Sequence, residues 1–476
     1  MTTRVERDSI GTLEVPADTY YGVQSLRAKR NFQITGTKLH PEFIKNLARI
    51  KKAAAITNGK AGELDKIKVK AITKACDEII SGAFEKEFIV DAIQGGAGTS
   101  ANMNANEVIA NRASEILGGK KGSYYPVHPN DHVNMAQSTN DVIPTAGKLT
   151  ALDLLESLIF QMENLKEALK DKSKEFDHVL KMGRTQLQDA VPMRLGQSFH
   201  AYYSVIKRDV SRLKDCRSNL YSLNMGGTAI GSAINVSPYY LTNIVPELAA
   251  VTGYPLSQAE DLFDATENLD GFVAVSSVLK TSAVNLSKIC NDLRLLSSGP
   301  KTGIGEINLP AMQNGSSIMP GKVNPVIPEV VTQAAFEVIG NDTTITLAAE
   351  AGQMELNAYE PVIFYNLFSS ITTLTGAVST LVENCITGIT ANEERCRELV
   401  SKSAGIATAL CPYLGYQKSA SIAKESLKSG KTVAELLLEK KLFTKEQLEK
   451  ILDPYAMTMP ATDDTGSAIY LKAAEA

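Results

Sequence analysis

Apolar residues recur at helical steps along most of the chain, and the longest such runs fall in its middle third. Leu155, Leu158, Met162, Leu165 and Leu169 follow one another at three- and four-residue intervals, as do Phe199, Tyr203, Ile206, Val210 and Leu213, and then Leu286, Ile289, Leu293 and Leu296. A stripe with that spacing lies on one face of a helix, and three long stripes predict amphipathic helices packed side by side at shallow angles. The expected fold class is therefore all-α, a long central helix bundle with smaller helical domains at the N- and C-termini. The expected boundaries are residues 1–139, 140–393 and 394–476. A bundle of this length commonly buries further faces between subunits.

Composition narrows the function. At 476 residues with 44% hydrophobic and 21% charged residues, the chain reads as an ordinary globular protein, with room for about three domains. A net charge of -4 and a pI near 5.9 leave no basic surplus for nucleic acid or an anionic membrane. An anionic substrate must then be met by local positive charge. The N-terminal residues Met1 to Asp8 contain no apolar core of a signal peptide, and no run approaches the apolar length of a membrane span, so the expected location is cytoplasmic. Cys76, Cys216, Cys290, Cys385, Cys396 and Cys411 lie far apart with no CxxC spacing, and the five histidines show no HExxH pattern. Neither a metal site nor a disulfide framework is expected, and buried free thiols are.

Short irregular segments with concentrated polar chemistry interrupt the helical pattern. Residues 95–107 are a glycine run leading into a polar helix start, where backbone N–H groups and the Thr99 hydroxyl suit an anion. Residues 129–141 crowd amides and hydroxyls, including Ser138, Thr139 and Asn140, ahead of the first long helix; neutral donors in such number suit an oxyanion. Residues 183–192, with Thr185 and Gln186, open the second bundle helix, and residues 226–235 form another glycine-rich bend. The densest segment is Gly315-Ser316-Ser317-Ile318-Met319-Pro320-Gly321-Lys322-Val323-Asn324-Pro325. Its prolines forbid a continuous helix, its glycines let the backbone move, and Lys322 offers a point charge to a carboxylate. Taken singly, each of the first four segments also reads as a plain loop. On titration alone, a general base would be His132 or His200.

The last segment resembles, residue for residue, the signature of the fumarase/aspartase superfamily of lyases. The five segments in this order are similar to that superfamily's successive active-site regions, from about Arg4 to about residue 460. Glu14 to Ala28, with Tyr20-Tyr21-Gly22, and Val326 to Val330, with Pro328, resemble its aspartase branch, as does Gln186 where fumarases carry histidine. The resemblance implies that L-aspartate is deaminated reversibly to fumarate and ammonia through an aci-carboxylate intermediate, with Ser316 as general base. It further implies that Thr99, Ser138, Thr139 and Ser317 surround the β-carboxylate, that Asn140, Thr185, Lys322 and Asn324 hold the α-carboxylate, and that Asn140 and Gln186 lie near the leaving amine. It connects Arg27 with the site, implies no organic cofactor, and implies a homotetramer whose sites are shared between subunits. Fumarate hydratase and a non-catalytic structural homotetramer are the alternatives. One departure stands out: relatives usually read Gly-Thr-Gly-Ile-Asn where this chain has Gly231-Ser232-Ala233-Ile234-Asn235. Alanine at 233 costs about 1 kcal/mol or more if its backbone must be left-handed.

Overall fold

The three stripes become the core faces of three long helices. In the computed structural model, which describes residues 2–453 and 455–458, Leu155, Leu158, Met162, Leu165 and Leu169 are all buried on a helix over Thr139–Glu175. Phe199, Ile206, Val210 and Leu213 are buried on Leu195–Asp215, where Tyr202 takes the core position expected for Tyr203. Leu286, Ile289 and Leu293 are buried on Asp270–Leu296.

In chain order the helices are α1 (Val23–Asn31), α2 (Pro41–Ala61), α3 (Lys66–Ile80), α4 (Thr99–Ile116), α5 (Thr139–Glu175), α6 (Leu195–Asp215), α7 (Pro238–Thr252), α8 (Asp264–Glu267), α9 (Asp270–Leu296), α10 (Val326–Glu350) and α11 (Glu360–Asn384). Shorter helices follow: α12 (Glu393–Lys402), α13 (Cys411–Leu414), α14 (Tyr416–Ser429), α15 (Val433–Glu439) and α16 (Lys445–Ile451). Strands are few. Antiparallel β1 (Thr3–Asp8) and β2 (Gly11–Pro16) form an N-terminal hairpin, and β3 (Leu180–Thr185) and β4 (Gln188–Arg194) form a second one between α5 and α6. Residues 183–192, read from the sequence as the opening of a helix, are thus mostly a hairpin. Two-residue pairings, Ser222–Leu223 with Ser257–Gln258 and Ile307–Asn308 with Thr390–Ala391, complete the strands among the described residues. The expected C-terminal domain extends past residue 458, and residues 459–476 lie outside the described residues.

Two compact units divide the chain. The first comprises residues 1–160, 209–284 and 334–376. Its core includes an aromatic cluster in which Phe364 meets Phe43, Phe272 and Phe368 at centroid distances of 5.7, 5.1 and 5.6 Å. Gly147 on α5 makes room for that cluster, because a Cβ there would collide with the Phe364 ring. The short helix α1 is started by buried carboxylates: Glu107 on α4 accepts the N–H groups of Gly22, Gln24 and Ser25, and Glu6 on β1 accepts that of Val23. A helix start leaves four N–H groups without intrahelical partners, and here all four are satisfied by side chains.

The second unit comprises residues 161–208, 285–333 and 377–476. Phe199 stands edge-on to Phe176 and Tyr202. Towards the C-terminus Ile406, Leu410, Ile422, Val433, Leu436, Leu437 and Leu448 close a small core of their own. All six cysteines are free thiols, five of them buried.

One expectation is corrected. The segment Glu360–Gly388 is long and apolar enough to cross a membrane by length and composition, although the sequence reading found no such run. Ile363, Leu367, Ile371, Leu374, Val378 and Leu381 are buried at helical spacing along it, which marks a core helix of the bundle.

The close approach at Gly147 gives a direct test of the packing. Gly147→Ala should lower stability by about 1–3 kcal/mol, since an added methyl must displace a ring in a packed core. Urea unfolding measures it, and a midpoint equal to the parent's would show that Phe364 is free to move.

Candidate active site

In the first unit, three of the sequence-selected segments meet around the start of α5. The glycine turn of residues 95–98 delivers Thr99 to the first position of α4, exposed, with its hydroxyl donating to the Gly96 carbonyl at 2.7 Å. One turn further along α4, buried Asn102 donates from Nδ2 to the Thr139 hydroxyl oxygen at 3.2 Å and to Asn134 Oδ1 at 3.2 Å. The Thr139 oxygen is thereby engaged as an acceptor, which leaves its O–H free to donate. Asn140 Nδ2 donates to the Ala229 carbonyl at 2.7 Å, drawing residues 226–235 alongside. The backbone N–H of Asn140 donates to the Ser138 hydroxyl oxygen at 3.2 Å.

The second unit holds the other two segments. Thr185 and Gln186 sit at the tip of the β3–β4 hairpin, exposed, where Gln186 and Leu187 adopt φ of 53° and 63°. Two successive positive φ values make the tight turn whose twist matches a hairpin. Below the tip, Lys181 and Arg184 clasp the buried Glu306 carboxylate at 3.1 and 2.8 Å, tying the hairpin to the residue 306 strand region.

Residues 315–325 form a loop pinched at its base. Gly315 N–H donates to the Lys322 carbonyl at 2.9 Å and Asn324 Nδ2 donates to the Gly315 carbonyl at 2.8 Å. A side chain at 315 would strike the Lys322 carbonyl, so this pinch requires glycine. Inside the loop the Ser316 hydroxyl oxygen accepts N–H groups from Ile318 at 3.2 Å and Met319 at 2.9 Å. Donors aimed at an oxygen lower the cost of its anion. Ser317 and Lys322 are exposed, and Lys322 has no ion pair among the described residues. With Asn324, Arg294 and Glu329 it lines a cleft of about 780 Å³.

His132 Nδ1 accepts the His128 backbone N–H at 2.8 Å, and burial, then the Lys68 ammonium, lower its pKa. His200 lies exposed on α6, its ring 5.4 Å from Tyr203. Arg27 is occupied by Asp8, to which it donates from Nε and Nη2 at 2.9 Å each.

Strain collects in these segments. Eleven non-glycine residues among those described have positive φ, and seven of them, Ala97, Ala136, Gln186, Leu187, Thr228, Ala233 and Asn235, fall in four of the five segments picked from sequence. Backbone held in such regions persists only where its surroundings over-determine it, and it gathers at functional sites. Ala233, at φ 54°, takes the left-handed conformation that its departure from the usual glycine put in question.

A buried layer beneath the first-unit cluster had no sequence assignment. Asp141, fully buried, accepts the N–H groups of Ser138, Gly226 and Thr228. Lys51 on α2, also fully buried, donates to Asn134 Oδ1 at 2.8 Å and Gln137 Oε1 at 2.9 Å. Burial pushes the Asp141 carboxyl up to about 6, opposed by its three N–H donors and by Lys51. Burial brings Lys51 down to about 7, opposed by the attraction of Asp141.

A family model described as lyase matches residues 11–340, and a second, described as the fumarase C C-terminus, matches residues 406–459. The chain belongs to this lyase family. It is 53% identical to the aspartate ammonia-lyase of Bacillus subtilis (strain 168), with 96% of each chain covered. To the aspartate ammonia-lyase of Pseudomonas aeruginosa it is 55% identical, covering 96% of this chain and 98% of that one. Among solved structures, the fumarate lyase:delta crystallin from Brucella melitensis bound to cobalt matches with a TM-score of 0.94 at 50% identity, over 96% of this chain and 100% of that one. The class II fumarase from Schistosoma mansoni matches with a TM-score of 0.92 at 36% identity, over 96% and 99%. The lyase fold thus accounts for the bundle, and the loop, hairpin and glycine turns are its irregular parts.

Relief of the strain at Ala233 is measurable. Ala233→Gly should raise stability by roughly 0.5–1 kcal/mol, the left-handed penalty removed less the backbone entropy that glycine adds to the unfolded chain. Chemical denaturation reads the change; a loss of stability would mean that the alanine methyl packs better than its backbone is strained.

Proposed function

We propose that this lyase catalyses the aspartate ammonia-lyase reaction, the reversible elimination of ammonia from L-aspartate to give fumarate. The observation that carries the assignment to this site is the Ser316 hydroxyl oxygen held by two backbone N–H groups, in a loop that also offers an unpaired lysine. A serine is a poor base at its free pKa and can act as one only where its alkoxide is stabilised. In the proposed mechanism Ser316 takes the proton from C3, and the electron pair moves onto the β-carboxylate as a doubly charged aci-carboxylate. The pair returns to form the C2–C3 double bond as the C2–N bond breaks and ammonia leaves. The reaction as written uses no organic cofactor.

Charge develops on the β-carboxylate, so that is where aimed donors accelerate the reaction. Ser138, Thr139 and Ser317 take this role, with Thr99 joining them once it releases the Gly96 carbonyl. Lys322, Asn324, Thr185 and Asn140 hold the α-carboxylate, and Gln186 with Asn140 faces the amine. The exposure of Thr99, Thr185, Gln186, Ser317 and Lys322 supports a site open to a small dicarboxylate.

We further propose a homotetramer with dihedral symmetry whose sites draw residues from different subunits, located in the cytoplasm. The three-part division at residues 139 and 393 is kept as its domain organisation. Phe160, Val284, Phe336 and Leu347, on the long helices, are 50–63% exposed in the single chain, which supports burial against other copies.

Three experiments test these readings. Purified protein given L-aspartate and L-malate separately should release fumarate from L-aspartate, and Ser316→Ala should lower kcat by several orders of magnitude with the assembly intact. Turnover of L-malate alone would assign a hydratase, and near-normal turnover by the variant would remove Ser316 as base. For the shared site, Thr185→Ala and Ser316→Ala chains, each nearly inactive, should regain a minority fraction of activity when unfolded together and reassembled. Repeated failure after verified mixed assembly would place both residues on one chain.

A further inference from the structure

The side chain that follows Ser138, Thr139 and Asn140 turns inward instead of toward the open side. Asp141 Oδ1 accepts the Ser138 N–H at 2.9 Å, and Oδ2 accepts those of Gly226 at 3.1 Å and Thr228 at 3.2 Å. Two further bonds run across the same junction: Asn224 Nδ2 to the Asn140 carbonyl at 3.0 Å, and Asn140 Nδ2 to the Ala229 carbonyl at 2.7 Å. Four hydrogen bonds therefore stitch residues 224–229 to the first turn of α5. The stitched loop is not relaxed, since Thr228 holds left-handed backbone at φ 56°. A loop so strained keeps its shape only while something fixes it.

Lys51 and Asp141 are both fully buried, and Asn134 Oδ1 accepts from Lys51, Asn102 and Asn106 at 2.8, 3.2 and 3.1 Å. Asn102 carries the chain of contacts back to the Thr139 hydroxyl. A buried charge is tolerated when it is ringed by donors, and the three N–H groups on Asp141 also locate the segment that carries Ser138 and Thr139.

We propose that Asp141 is a positioning residue for the lyase reaction: it fixes the direction of the Ser138 and Thr139 donors by locking the start of α5 to the strained 224–229 loop. This rests on the proposed reaction. Its consequence is a split between binding and turnover. Donors that are slightly misaimed still meet a carboxylate in the ground state, but they fail to strengthen as the second charge develops on it. Loss of one preorganised donor of this kind typically costs about 100- to 1,000-fold in kcat. Removing Asp141 should act on kcat in the same way while KM changes little.

The test compares wild type with Asp141→Asn, which keeps the shape of the side chain but turns one acceptor into a donor against backbone N–H groups. Steady-state kinetics with L-aspartate are measured beside the stoichiometry of succinate binding, which counts intact sites. A wild type inactive on L-aspartate would overturn the reaction assignment and this inference with it. With active wild type, the expected result is a kcat lower by roughly 100-fold, KM within about threefold, and succinate bound at full stoichiometry. A kcat within threefold of wild type overturns the proposal, as does a kcat loss matched by an equal loss of succinate-binding sites, which would be a folding defect. Should Asp141→Asn not fold, Asn224→Ala decides: it removes the bond to the Asn140 carbonyl from the other side, and should lower kcat by about tenfold with KM little changed. An unchanged kcat there overturns the proposal.

Discussion

A carboxylate taken out of water must be ringed by donors, and backbone N–H groups at irregular turns must find acceptors. This chain meets both requirements at once, twice in its first unit. Glu107 and Glu6 satisfy all four unpaired N–H groups at the start of α1, and so set the helix that carries Arg27 towards Asp8. Asp141 does the same between the start of α5 and the 226–235 bend. Ser138, Thr139 and Asn140, proposed above as substrate donors, sit on the segment that Asp141 secures. The hydrophobic stripes hold the long helices; the buried carboxylates decide how the irregular ends are arranged.

The second unit solves a related problem differently. Glu306 is clasped by two cations, Lys181 and Arg184, below the hairpin tip that carries Thr185 and Gln186. The 315–325 loop, by contrast, is held at its base by the Gly315 to Lys322 pinch and is otherwise exposed. The base proposed at Ser316 suits such a segment, because loops held at their base commonly close over substrates. The N–H groups that support the Ser316 oxygen belong to Ile318 and Met319 of the same loop, so they travel with it.

Much of this was legible in the sequence, for identifiable reasons. The stripes from Leu155 to Leu169 and from Leu286 to Leu293 gave their helices because burial follows helical period. The polar segments stood out through glycine and amide density, and the Ala233 departure pointed to a left-handed residue that the backbone confirms. The hairpin at residues 183–192 was missed because its turn is made by Gln186 and Leu187, with no glycine or asparagine to mark it. Lys51 was invisible because a lysine beside Lys52 on an amphipathic helix reads as solvent-facing, and only its position against Asn134 and Gln137 shows otherwise. Asp141 lay within a selected segment, but nothing in the sequence tells which of its neighbours points inward.

The account's central claim is that the site adds and removes ammonia, with the C3 proton handled by one fixed base. Running the reaction backwards tests both parts in a single sample: fumarate and an ammonium salt in deuterated water, with the product followed by proton nuclear magnetic resonance. The account predicts aspartate carrying a single deuteron at C3, in one stereochemical position. Accumulation of malate, or deuterium scattered over both C3 positions, would contradict it.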